Sequence, residues 1–175
     1  MTTELARARG GVCAVICTHD RTELLRRALN SLTEQSLCPA EILVVDNAPS
    51  DTQTRCLIAE QFPAVRYVCE PTPGLNFARN RALRETEQEI VAYMDDDAIA
   101  DSDWILRTVE VFAESQAITI CTGRVQAYRL ETDAQRLFEA QGGFDRGAQR
   151  IHMPRDAMKY RMHGVRAPLI AWSIA

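Results

Sequence analysis

The chain has no apolar run approaching the ~18 residues that a membrane span requires. It also lacks the hydrophobic core of a secretory leader, because Met1 to Gly11 holds two arginines and no apolar stretch. No internal repeat or low-complexity tract interrupts it, and nothing in it marks a second domain. Its six cysteines lack the tight paired spacing of a zinc site or a disulfide framework. Cys13 and Cys17, four apart on one predicted strand, stand about 13 Å apart at strand rise, too far for a disulfide. All six are therefore expected to be reduced thiols, mostly buried, with zinc binding as the alternative. That cysteine usage suits a reducing, cytoplasmic compartment.

The 175 residues are 46 % apolar and 25 % charged, an ordinary soluble composition with enough chain for one core. The formal charge of −4 conceals an asymmetry: residues 1–145 carry −9 and residues 146–175 carry +5. An acidic body argues against general nucleic-acid binding. The basic segment, 146–166, suits either a solvated face or peripheral contact with phosphates on an anionic membrane surface.

Apolar and amphipathic segments alternate. Val12–Thr18 is β-branched and apolar, a first strand. Asp20 with Glu23 has the spacing of a capping box, and Leu25, Ala28, Leu29 and Leu32 follow at helical intervals to about Gln35. Glu41–Val45 is a second buried strand ending at Asp46-Asn47. Ser50 with Gln53 suggests another capping box before a helix carrying Leu57, Ile58 and Phe62. Ala64–Val68 is a short third strand, and Glu70-Pro71-Thr72-Pro73-Gly74 is a stiff loop released by a glycine. Asn76 is placed to cap a helix running through Arg84. Ile90–Met94 is a fourth strand. Asp101 or Ser102 opens a helix with Trp104, Ile105, Val109 and Phe112 on its inner side. Ala117–Cys121 completes the pattern as a fifth strand, and Asp133–Ala140 is a further helical candidate. Such alternation predicts an α/β fold, a Rossmann-like and mostly parallel sheet flanked by helices.

The organising stretch is Ile90-Val91-Ala92-Tyr93-Met94-Asp95-Asp96-Asp97. A short apolar run suits a strand buried on both faces, and the mouth of a parallel sheet is where such folds bind ligands. Three adjacent carboxylates repel one another unless a cation sits among them. Oxygen ligands of this kind suit Mg²⁺ or Mn²⁺ held together with substrate phosphates. In extended chain Asp95 and Asp97 share a face. One can then meet a sugar while the other meets a metal that neutralises a diphosphate leaving group. Thr18 and Asp46 reach the same rim, and Arg21 and Arg79 are available to phosphates. The plainer alternative is an exposed acidic turn capping the next helix, with ordinary surface arginines around it.

These residues resemble family 2 glycosyltransferases, inverting enzymes with a GT-A fold. The likeness lies in five ordered blocks over roughly residues 11–125. They are Val15-Ile16-Cys17-Thr18-His19-Asp20-Arg21, Ser31-Leu32-Thr33-Glu34-Gln35, Ile42–Asn47 with Asp51, Gly74-Leu75-Asn76-Phe77-Ala78-Arg79-Asn80, and Tyr93–Asp97 with Trp104. The resemblance implies a nucleotide-diphosphate sugar donor and a glycan, lipid or small-molecule acceptor hydroxyl, with transfer of a hexosyl group by inversion. It implies Thr18 and Asp46 in the nucleoside pocket with Gly74 and Arg79 beside it, Asp95 at the ribose, Asp97 on the metal, and Asp96 assisting. His19 stands where the family carries an aromatic residue, which implies packing rather than catalysis.

The family's carboxylate base belongs to the second half of the domain, and the resemblance implies a base beyond Ala175. Gly143-Phe144-Asp145 is similar to a family phrase near the acceptor site but sits in an apparent insertion, which argues against Asp145 as the base. The expectation is one glycosyltransferase domain over 1–175, cut before its acceptor-binding half. Residues 11–125 would form the donor-binding core and 126–175 an irregular basic segment. Pro168–Ala175, apolar to the last residue, would pack beneath the missing half, and the chain alone is expected to be poorly soluble or oligomeric and to transfer no sugar at a useful rate. Three other functions compete with this reading. A sugar-phosphate nucleotidyltransferase would need a glycine-rich basic loop after the first strand, and Cys17-Thr18-His19-Asp20 is not one. A phosphoacceptor receiver domain would need more acids after the first strand and a lysine after the fifth. A non-catalytic nucleotide-binding fragment is the third.

Overall fold

A computed structural model of the chain describes residues 11–145 and 149–151. The expected apolar stretch at 168–175 and most of the basic segment at 146–166 lie outside the described residues, as do residues 1–10. The described chain divides into two compact units, one up to Cys121 and one from Thr122 onward.

In the first unit, strands β1 (Val12–Thr18), β2 (Glu41–Asn47), β3 (Arg66–Glu70) and β4 (Ile90–Asp95) alternate with helices. The helices are α1 (Thr22–Thr33), α2 (Gln53–Gln61), α3 (Leu75–Glu85) and α4 (Trp104–Glu114). Every strand pairing is parallel, in the order β3-β2-β1-β4. The two inner strands are buried on both faces, as their near-continuous apolar runs require. Val12, Ala14 and Ile16 point into one core with Leu25, Leu29 and Leu32 of α1, Leu57 and Ile58 of α2, and Trp104, Ile105 and Val109 of α4. Cys13 and Val15 alternate to the other face with Leu43 and Val45, covered by Ala78 and Ala82 of α3. Alanine on α3 lets that helix lie close against the sheet. Leu25 and Leu29 are fully buried, so truncating either to alanine would cost about 2–5 kcal/mol.

The strand order matters for function. The chain steps outward from β1 to β2 to β3, then returns to place β4 on the far side of β1. The reversal puts a topological switch point between β1 and β4, and open α/β sheets bind ligands in the crevice at the carboxyl ends of such strands. The second unit contains α5 (Asp133–Ala140), as expected, with a full capping box between Thr132 and Gln135.

Several local expectations are corrected. Ala117–Cys121 forms no strand; it is irregular, with Ile120 67 % exposed. A β-branched run becomes a strand only where an edge accepts its backbone bonds and neighbours bury its side chains. The helix after Asp20 begins from Arg21 with no side-chain cap, and α2 begins from Thr52, also uncapped by a side chain. α3 opens at Gly74, not Asn76, and α4 at Asp103. The first helix ends at Thr33, and the third strand is shifted to Arg66–Glu70. None of the six cysteines is in a disulfide, but Cys38, Cys56 and Cys69 are exposed and only Cys13 is buried, so "mostly buried" does not hold.

Candidate functional site

Register places the expected residues side by side. Thr18 pairs with Asp46 across β1 and β2, and Cys17 pairs with Asp95 across β1 and β4. Strand β4 ends at Asp95, and a backbone bond from Ala98 N to Asp95 O (3.1 Å) closes a turn over Asp96 and Asp97. The turn separates the three acids. Asp96 points inward and is 6 % exposed, while the side chains of Asp95 and Asp97 each remain 58 % exposed. Asp95 and Asp97 thus both reach water, from either side of a turn position rather than from an extended strand.

Asp96 is held from two sides. Thr18 Oγ1 donates to its Oδ2 at 2.8 Å, and Arg21 Nη1 to its Oδ1 at 3.2 Å. Arg21 Nη1 also lies 3.7 Å from Asp97 Oδ2, and Arg79 Nη2 lies 3.7 Å from Asp95 Oδ1. Loss of surrounding water pushes the Asp95 carboxyl above its ordinary pKa; Arg79 opposes the shift and Asp97 and Asp96 add to it. Its remaining exposure limits the effect.

Asp46 is fully buried at the end of β2. Tyr67 donates its hydroxyl to Asp46 Oδ2 at 3.0 Å, while Asp46 Oδ1 is buried with no hydrogen-bond partner among the described residues. Burial raises the Asp46 pKa, and the Tyr67 hydrogen bond works against the rise. The same neighbourhood pushes Tyr67 itself beyond the usual phenol range, first through its own burial and then through Asp46.

Gly74 reaches this rim through Asn47. The Asn47 side chain donates to Thr72 O at 2.7 Å and to Glu70 O at 3.3 Å, and accepts from Gly74 N at 2.8 Å. Three bonds from one buried amide fix the proline-stiffened loop that delivers α3 and Arg79. Gly74 adopts φ +130°, which L side chains rarely take. Tyr93 contributes from β4, its hydroxyl donating to Arg79 O at 2.8 Å.

The loops beside β1 and β2 are tied together. Asp20, at φ 52°, accepts from Ser50 N at 3.0 Å and from the Ser50 hydroxyl, so both residues expected to cap helices bond to each other instead. These two bonds hold the Asp20 carboxyl below its usual pKa. His19 Nδ1 donates to Asn47 O at 2.8 Å, a carbonyl being able only to accept. His19 is exposed, so its part is this loop tie and not packing.

Sequence reasoning assigned no role to Asn47, Tyr67, Ser31 or Gln35. Gln35 donates to Ser31 O (3.0 Å) and Asp101 O (2.6 Å) and accepts from Ile105 N (3.0 Å), while Ser31 Oγ accepts from Ala100 N (3.0 Å). The end of α1 therefore clamps the segment that follows the acidic turn. The usable signal was polar residues inside or just after apolar periodic segments, where burial demands a partner.

Asp95 and Asp97 fit a hard divalent cation in one respect, since they offer two exposed carboxylates two residues apart at one turn. No group of three His, Cys, Asp or Glu side chains forms a closed metal cage among the described residues. Such a donor set suits a cation completed by phosphate oxygens and water. In the second unit, Asp145 accepts from Arg124 through both oxygens, Nε to Oδ1 at 2.9 Å and Nη2 to Oδ2 at 2.6 Å. That is the geometry of a structural ion pair.

The four-stranded parallel sheet flanked by helices is an α/β fold, and its structural neighbours are GT-A glycosyltransferases. The chain belongs to glycosyl transferase family 2, whose family model matches residues 13–165. It is 27 % identical over 119 residues to the succinoglycan biosynthesis protein ExoM of Rhizobium meliloti (strain 1021), a match covering 65 % of this chain and 38 % of that protein. Among solved structures it is similar to the mannosyltransferase PcManGT of Pyrobaculum calidifontis in complex with GDP-Man and Mn²⁺. That match has a TM-score of 0.56 and 30 % identity, covering 65 % of this chain and 35 % of the other. It also shares its fold with glucosyl-3-phosphoglycerate synthase of Mycobacterium tuberculosis bound to UDP, at a TM-score of 0.59 and 20 % identity, covering 80 % of this chain and 54 % of that one. The chain spans well under half the length of the curated relatives it matches.

Proposed function

We propose that this chain is the donor-binding part of an inverting glycosyltransferase, which moves a hexosyl group from a nucleotide-diphosphate sugar to an acceptor hydroxyl with the help of Mn²⁺ or Mg²⁺. The observation that carries the reading is Asp46 Oδ1, a buried acceptor without a partner among the described residues, one strand from Thr18 and two strands from Asp95–Asp97. An unsatisfied buried acceptor costs about 1–3 kcal/mol, so an N–H donor from a uracil or guanine ring would relieve it. Because Asp46 is wholly buried, rim side chains must give way as that donor arrives.

Other residues then take definite tasks. Thr18 holds Asp96 inward, so that Asp95 and Asp97 are left facing the ligand. Asp95 accepts from ribose hydroxyls. Arg79 and Arg21 supply guanidinium donors to the diphosphate. Asp97, with Asp95, would hold the divalent cation, whose chemistry is to neutralise the departing diphosphate. Asn47 fixes the Glu70–Gly74 loop as a wall of the nucleoside pocket. The bidentate contact with Arg124 argues against Asp145 as the acceptor's base, which we assign to a carboxylate outside this sequence. The acceptor is a glycan, lipid or small molecule. We place the protein in the cytoplasm, with residues 146–166 available to an anionic membrane surface.

Titration calorimetry with UDP and GDP tests the donor reading. Binding should tighten with Mn²⁺ and weaken in chelator. Equal affinity under both conditions, for every nucleotide tried, would overturn the metal's part in it. The engagement of Asp145 by Arg124 favours one further reading, a nucleotide-binding fragment without catalysis. A donor-hydrolysis assay with added Mn²⁺ separates the two.

A further inference from the structure

The acidic turn already has cations of its own. Arg21 is anchored at 3.2 Å on Asp96, which Thr18 fixes from the other side, and from that anchor it lies 3.7 Å from Asp97. Arg79 meets Asp95 at 3.7 Å. Three carboxylates facing two guanidiniums leave a formal charge of only −1, too little to attract a bare divalent ion strongly. A cation on Asp97 would share that carboxylate with a guanidinium, and like charges at such range repel. A diphosphate changes the balance. It brings negative charge to the turn and offers oxygens that match the planar fork of Arg21. Arg21 can exchange partners cheaply, since its side chain is 55 % exposed and its contact with Asp97 is long.

We propose that Arg21 makes divalent-cation binding at the acidic turn conditional on the diphosphate. It does so by occupying Asp96 and Asp97 until phosphate oxygens draw its guanidinium away. The proposal rests on the nucleotide-diphosphate reading of this rim. It makes Arg21 a positioning residue for charge, acting through Asp97. The competing view is an ordinary surface ion pair that contributes little.

Free Mn²⁺ measured by electron paramagnetic resonance decides between them, using the 175-residue chain without nucleotide. Arg21→Gln should bind Mn²⁺ on the order of tenfold more tightly than the parent, the effect of removing one partly screened positive charge. Arg21→Lys, which keeps the charge, should bind like the parent. The factor by which UDP tightens Mn²⁺ binding should fall about tenfold in Arg21→Gln, and by linkage the factor by which Mn²⁺ tightens UDP binding must fall equally. Arg21→Ala serves as a second neutral variant, with circular dichroism checking the fold of each. Unchanged or weaker Mn²⁺ binding in the neutral variants, with the parent chain binding UDP in Mn²⁺, would overturn the role of Arg21 alone. A parent chain that binds neither UDP nor GDP in Mn²⁺ would overturn the nucleotide reading and the coupling with it.

Discussion

Thr18 and Asp96, 78 residues apart in sequence, are joined by a buried hydrogen bond of 2.8 Å from Oγ1 to Oδ2. That bond closes the switch point between β1 and β4, and it decides which of three adjacent acids turns inward. Its neighbour bond from Arg21 satisfies the second oxygen, so the inner carboxylate is fully engaged while the outer two keep only the longer 3.7 Å contacts with Arg21 and Arg79.

Thr18→Val should leave Asp96 Oδ2 buried without its donor. The expected loss is about 1–3 kcal/mol of unfolding free energy, the cost of an unsatisfied buried acceptor. Thr18→Ser, which restores the hydroxyl, should recover most of it. Urea unfolding measures both, and equal midpoints for Thr18→Val and the parent would show that the bond does not stabilise the fold.

Asp46→Asn should separate stability from binding. Burial raises the Asp46 pKa in the folded chain, so the folded state binds that proton more tightly than the unfolded one. Ionised Asp46 therefore costs stability at neutral pH. The cost is relieved as pH falls through the raised value towards the ordinary aspartate range. The variant should melt higher than the parent near pH 7, and the gap should shrink in acid. Its affinity for UMP and UDP should drop by a similar factor for each, roughly tenfold to a hundredfold, as for a charged acceptor lost at about 1.5–3 kcal/mol. Unchanged nucleotide affinity would return Asp46 to a strand-closing role.

Asp97→Asn should abolish the Mn²⁺ dependence of nucleotide binding and leave the fold intact. The carboxylate is 58 % exposed, and surface substitutions of this kind usually move stability by no more than about 0.5 kcal/mol. Calorimetry in Mn²⁺ and in chelator gives the first quantity and thermal melting the second. A variant that keeps its full Mn²⁺ response would move the cation away from Asp97.

Gly74→Ala should destabilise the loop that Asn47 holds. A side chain at φ +130° is strained, and its Cβ would lie 3.2 Å from Phe77 Cδ2. Phe77 is exposed and can move, so the backbone strain dominates, at about 1–3 kcal/mol. Nucleotide affinity should fall with it because Arg79 follows on the same helix. Parent-like melting and affinity would show that the loop tolerates the change.

The sequence by itself determined the alternation of strands and helices, because β1, β2 and β4 are apolar runs bounded by polar turns and the helices carry apolar residues at helical spacing. It also determined that Thr18, Asp46 and the three acids share one rim, since each terminates a parallel strand. Where tertiary contact sets the answer, local pattern misleads. Asp20 and Ser50 have capping-box spacing, yet each finds the other across two loops and forms its bonds there. Ala117–Cys121 has strand composition, yet no strand forms there. Adjacent Asp95, Asp96 and Asp97 are chemically identical in the sequence. Only the fold distinguishes them, by bringing the Thr18 hydroxyl and the Arg21 guanidinium to the middle one. The roles of Asn47, Tyr67 and Gln35 were equally illegible, because a buried polar side chain is defined by partners that lie 21 to 70 residues away.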